Sequence, residues 1–371
     1  MGQLFSSETD VAGAREAIGS LLYQAMQQEG AVARLAVDYP LLLEPHEGSA
    51  DRFTEQLKQL QVDLGSKAPV YLRDLIGRLT SFAEEPRLAG LLGLVVTVVI
   101  DMLYSGSRQT SASKAKSGPS SVQQKVVELQ ELMEEYLKRC QIHLSDRARL
   151  IQDSQRLEAQ LSMSLTQLKT CLLAGDCDSR LVTRWAKAAA FHTQMLVHLA
   201  ALEDQPEPLA ARAALDQYQE ALTRILAAYR SYKSKSVHVV KCRSALRGSP
   251  GEALEEGCMT GLTVSDRETG KSATVSLDAL QEELGRRGLG ELVDLDQIPS
   301  DQYLQAYLDH LFSTKGPGAE LQDYFSRTGQ KLRCLQLKPE SRASVSEPDG
   351  GPAQTPPGEC LMLSIMETMK H

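Results

Sequence analysis

Three groups of residues have types and spacings suited to chemistry, and the first lies at the start of the chain. The opening reads Met-Gly-Gln-Leu-Phe-Ser, placing Gly2 behind the initiator and Ser6 four positions on. Removal of Met1 would leave a glycine amine, the group that accepts a myristoyl chain, and a Ser or Thr at the sixth position completes that recognition pattern. Gly2 is thus the candidate lipidation site, with Ser6 as its recognition residue. One myristoyl chain anchors weakly and reversibly, so stable attachment needs a second contact. Residues 1–110 do not supply it locally: they hold nine Lys/Arg against fourteen Asp/Glu, and no Cys for a second acyl chain.

The second group is basic. Arg224, Arg230, Lys233, Lys235, Lys241, Arg243 and Arg247 fall in a stretch with no acidic residue between Glu220 and Glu252. Seven positive charges at one helix end and its following loop suit an anionic membrane surface or an acidic partner, at about 1 kcal/mol per residue near a bilayer. Two plainer roles compete: cations favour a helix C-terminus, and they pair with acidic neighbours. Nucleic acid is not the expected partner, because the net charge is −8 and only Tyr229 and Tyr232 offer stacking rings nearby.

The third group is apolar. Leu88–Ile100 contains no charged residue, and Leu88, Leu91, Leu92, Leu94, Val95, Val98 and Val99 are candidate membrane-inserting positions. As a helix, its thirteen residues would span roughly 20 Å against about 30 Å of hydrocarbon. A buried core helix fits that length better than a membrane span.

Catalytic patterns are poor. Glu268–Ser272, Glu-Thr-Gly-Lys-Ser, ends like a phosphate-binding loop, but Ser265 stands where that loop needs its first glycine. His192 and His198 are six apart, off one helical face, and read as ordinary packing or surface histidines rather than ligands. The seven cysteines are dispersed with no Cys-x-x-Cys pair, the pattern of reduced thiols. Residues 11–26 lack the basic start and unbroken apolar core of a secretory signal. No enzyme activity, metal or cofactor is expected beyond covalent myristate.

The elements that must position these groups are mostly helical. Hydrophobic residues make up 42% of the 371-residue chain and aromatics only 5%, a composition that suits packed helices. Residues 1–9 form the tether, and 10–104 a helical region ending in the apolar run through Tyr104. Residues 105–121 form a polar linker. Residues 122–245 form a bundle built on one long coiled-coil-like helix over about 122–174, roughly 75 Å long, followed by two more helices. Residues 246–338 form a small α+β region with β-like stretches near Met259–Val264 and Ser272–Leu277. Residues 339–371 are a mostly disordered tail.

The fold class expected is mainly α with a small mixed C-terminal part. The function expected is a helical adaptor or scaffold, held on the cytoplasmic face of a membrane with a cytosolic pool. It would contact anionic lipid, present its bundle to a protein partner, and could self-associate. The alternative is a membrane-active protein that inserts residues 88–104 into a bilayer.

Overall fold

The computed structural model describes residues 8–37, 70–80, 121–175, 177–244, 257–290 and 294–337. The described residues are mainly helical, with one small three-stranded sheet. The helices are α1 (Glu8–Gln28), α2 (Val70–Thr80), α3 (Ser121–Ile142), α4 (Arg147–Ala174), α5 (Ser179–Leu202) and α6 (Leu209–Ser236). They continue with α7 (Leu277–Arg286), α8 (Ser300–Leu311) and α9 (Pro317–Cys334). Strands β1 (Val237–Arg243), β2 (Met259–Asp266) and β3 (Lys271–Ser276) form an antiparallel sheet in the order β1-β2-β3.

The single helix expected over 122–174 is two. The chain turns at residues 143–146, and Asp146 caps α4 by accepting from the Arg149 N–H at 3.2 Å. A short Ser-Asp pair thus breaks the helix without Gly or Pro, because the aspartate side chain serves the orphan amides of a new N-terminus. The apolar stripe runs through the break because α3 and α4 fold back as a hairpin and both face one core. Ser164 donates to Glu128 across it at 2.8 Å.

Helix α5 occupies the centre of the bundle. Nineteen of its positions are buried, among them Ala186, Ala188, Ala189 and Ala190, whose small side chains admit α3, α4 and α6 on several sides. Asp178 caps it, accepting from the Leu181 N–H at 2.7 Å. Helix α9 returns to this bundle. Leu321, Phe325 and Leu332 join its core, and Arg212 of α6 donates to the Leu332 carbonyl at 2.8 Å.

A second core lies under the sheet. Val237, Val239, Leu262, Val264, Ala273 and Val275 face α7, α8 and, unexpectedly, α1. The sequence order places α1 with residues 10–104. Instead Ala14, Ala17, Ile18, Leu22 and Met26 complete the core of the C-terminal α+β layer, while Leu35, Val37, Leu75 and Ile76 belong to the bundle core. The expected boundaries at 104 and 246 therefore do not separate the two cores.

Gly19 sets how closely α1 and α8 approach. A Cβ there would lie 2.2 Å from the Ala306 carbonyl oxygen, far inside contact distance. Gly19→Ala is expected to push the helices apart and lower folding stability by about 1–2 kcal/mol, read as a shift of the urea midpoint. Gly77→Ala in α2, where a Cβ would meet no described atom within 4 Å, should be neutral or mildly stabilising. Equal behaviour of the two variants would refute the close-approach account.

Candidate functional site

The basic stretch is where sequence and structure diverge most. Val237–Arg243 is a strand, not the loop expected after the helix, and β1 pairs with β2 along its length. The alternation Val-His-Val-Val carries that signal. The flanking lysines and arginines mask it by making the segment read as a charged loop.

The cations then spread over different surroundings. Arg224 is exposed and pairs within α6 with Glu220 at 2.5 Å. Arg230 reaches Asp309 of α8 at 2.5 Å. Lys241 and Arg243 converge on Asp296, at 3.8 and 3.0 Å, and tie β1 to the segment before α8. Lys235 is exposed. Arg247 lies outside the described residues.

Lys233 is the clear correction to the surface-patch expectation, since its side chain is only 3% exposed. Its ammonium lies 2.6 Å from Asp266 Oδ2 and 2.5 Å from Glu268 Oε2. Both carboxylates come from the β2–β3 hairpin, the segment whose Glu-Thr-Gly-Lys-Ser run resembles the end of a phosphate loop. That run is a turn into β3: Gly270 has φ +69°, and its N–H donates to the Asp266 carbonyl at 2.8 Å.

Two carboxylates facing one ammonium leave an excess negative charge, and helix α5 absorbs it. Glu268 Oε1 accepts from the Ser179 backbone N–H at 2.7 Å and also from the Ser179 hydroxyl. The positive end of the α5 dipole therefore meets Glu268, while Lys233 sits in the last turn of α6, where a cation is favoured. A single hairpin thus closes the start of one bundle helix and the end of the next. Tyr229 packs against this cluster, its ring centroid 5.7 Å from Nζ. Burial first, then the two carboxylates, holds its hydroxyl well above the ordinary tyrosine value. The cluster is a structural lock between the bundle and the sheet.

Both histidines singled out in the sequence are buried in the bundle with tyrosine partners. His192 bridges Glu158 of α4, 3.0 Å from Nε2, and Tyr218 of α6, 2.7 Å from Nδ1. His198 lies 2.6 Å from the Tyr136 hydroxyl at Nδ1. Burial holds the Tyr136 hydroxyl well above the ordinary tyrosine value, and which of the two groups donates follows the imidazole tautomer. The packing role expected of these histidines thus takes the form of hydrogen-bonded cross-links between helices.

Cys140 and Cys177 are buried free thiols. Burial is the leading cause that pushes both up in pKa, and that makes them poor nucleophiles. Cys171 is also free. Among the described residues no group of His, Cys, Asp and Glu is arranged to hold a metal ion, and no helix is long and apolar enough to cross a membrane.

Gly2 and Ser6 lie outside the described residues, as do Leu88, Leu91, Leu92, Leu94, Val95, Val98 and Val99. The first described helix is α1, which begins at Glu8. It is clamped by Arg15, which donates to Asp309 Oδ2 at 3.0 Å while Arg230 and Gln305 hold Oδ1 at 2.5 and 2.8 Å. One aspartate thus joins α1, α6 and α8.

The architecture so defined is a helical bundle with a three-stranded α+β layer completed by the N-terminal helix. No known family model matches the chain, and no curated protein or solved structure is detectably similar to it.

Proposed function

We propose that this chain is a helical adaptor tethered to the cytoplasmic face of a membrane by myristate on Gly2, with the bundle as its partner-binding body. The observation that carries this reading is the Gly2–Ser6 pattern. The placement of α1 supports it: the helix starts six residues beyond Gly2 and is fixed into the fold by Asp309 and the Gly19 contact. A lipid attached so close to a rigid helix would hold the whole body near the bilayer rather than on a long leash.

A single acyl chain predicts partial, reversible membrane association. The basic stretch contributes less than its sequence suggests, since Lys233 is buried and four of the remaining cations are held in ion pairs. The test is metabolic labelling with a myristate analogue together with membrane fractionation. Wild type is expected to label and to divide between membrane and soluble fractions, whereas Gly2→Ala should lose the label and move to the soluble fraction. Equal labelling of the two would dispose of the tether.

A further inference from the structure

Helix α4 carries two seams at coiled-coil spacing. One faces the bundle and the other faces solvent. The inner seam, with Leu150, Leu157, Leu161, Leu168 and Leu172, is buried in the bundle core. The outer seam runs Ala159, Met163, Thr166, Thr170 and Leu173, and all five positions are exposed. Met163 and Leu173 are large apolar side chains left 59% and 41% exposed. Alternating steps of four and three are the spacing that holds one face of a helix against a partner helix.

The outer seam also lacks charge. Residues 159–175 contain a single charged residue, Lys169, whereas the 24% of the whole chain would place about four there. Glu158, at the head of the run, turns to α5 instead and meets His192 at 3.0 Å. The threonines are less polar here than their names suggest. Thr170 donates its hydroxyl to the Thr166 carbonyl at 3.0 Å, so that hydroxyl needs no other acceptor and its methyl group is left to be covered.

We propose that α4 pairs antiparallel with α4 of a second copy of this chain along Ala159–Leu173. About a two-fold axis midway along the seam, Met163 of one copy meets Leu173 of the other, and Thr166 meets Thr170. A second copy is the occupant this face fits. The seam has no pattern of charges to select a different helix. The net charge of −8 makes other approaches of two copies repulsive, and this face removes that repulsion from the contact. Its size sets the strength. Ala159–Leu173 spans about 21 Å, and a helix is about 10 Å across. Such a contact buries on the order of 600–800 Å² in total, below the ~1,200 Å² of a stable dimer. The pair is therefore transient, with a dissociation constant on the order of 10–100 µM. On the reading of Gly2 proposed above, it places two myristoyl chains on one particle, and two lipid signals are what stable anchoring takes. Pairing itself needs no acyl chain, so its failure and the failure of the tether are separable.

The test is sedimentation velocity of full-length Gly2→Ala protein, which carries no acyl chain, at about 1–300 µM. A shift from monomer to dimer with rising concentration is expected. Met163→Glu and Leu173→Lys, each at an exposed position and each checked for an intact fold by circular dichroism, should weaken pairing by about tenfold or more. Val240→Glu, at an exposed position on the sheet, should not. The double variant Met163→Glu/Leu173→Lys sets opposite charges against each other across the two-fold axis and should recover the dimer. A protein that stays monomeric over the whole range, a dimer indifferent to Met163→Glu and Leu173→Lys, or a double variant as weak as the single ones overturns the proposal.

Discussion

Lys233→Met is expected to destabilise the fold by roughly 3–5 kcal/mol. The methionine fills the same space but leaves Asp266 and Glu268 facing each other, 1% and 9% exposed, with no cation between them. Removing one partner of a buried ion pair strands the other charge, and that penalty exceeds what the intact pair contributes over an apolar filling. The measurement is urea unfolding beside Lys235→Met, two residues on and exposed, which should change stability by less than about 0.5 kcal/mol. A triple variant, Lys233→Met with Asp266→Asn and Glu268→Gln, removes all three charges. It should recover most of the loss, because the amide oxygen that replaces the Glu268 carboxylate can still accept from Ser179. If Lys233→Met proves as benign as Lys235→Met, the lock does not hold the hairpin to the bundle.

The second large effect is acid destabilisation through His198. Burial lowers its pKa from 6.5 to about 4, so the folded state keeps the ring neutral where the unfolded chain would protonate it. The sign follows: this contribution is complete above about pH 6.5, fades as pH falls through that value, and is exhausted near pH 4. Integrated over that window it amounts to roughly 3 kcal/mol. Tyr136 on α3 holds the ring from one side, and burial alone accounts for the shift. His198→Gln retains a group that can accept from Tyr136 and cannot titrate. Its unfolding free energy should fall less steeply between pH 6.5 and 4 than that of the wild type. Identical pH profiles would show that the proton enters elsewhere.

Helical periodicity makes α1, α4, α6 and the stripe of α3 legible in the sequence, along with the β2–β3 hairpin. The break at Asp146 is not legible, because the apolar stripe continues through it and a capping aspartate is a quieter signal than Gly or Pro. The centrality of α5 is hidden by Arg184, Lys187, His192, Gln194 and His198. Among the described helices, α5 is nonetheless one that its alanines allow to be surrounded. For the candidate sites, the sequence displays the cations but not the acids opposite them. Asp266, Glu268, Asp296 and Asp309 lie 33 to 79 residues from the cations of the basic stretch that they meet, beyond the reach of any local pattern.

The partnership of α1 with α8 has a consequence for synthesis. Arg15 and Asp309 are 294 residues apart, and translation at about 5–20 residues per second separates their emergence by roughly 15–60 s. For most of that interval the N-terminal helix has left the ribosome without the sheet, α7 or α8 that will cover its apolar face. A processing enzyme acting on the N-terminus would meet it before the body exists to crowd it, while a chaperone would meet an exposed amphipathic helix. Helices α3 to α6 of the bundle can assemble from contiguous chain during this time. The α+β layer closes late, capturing α1 only after most of the described chain has been produced, and α9 docks on the bundle after it.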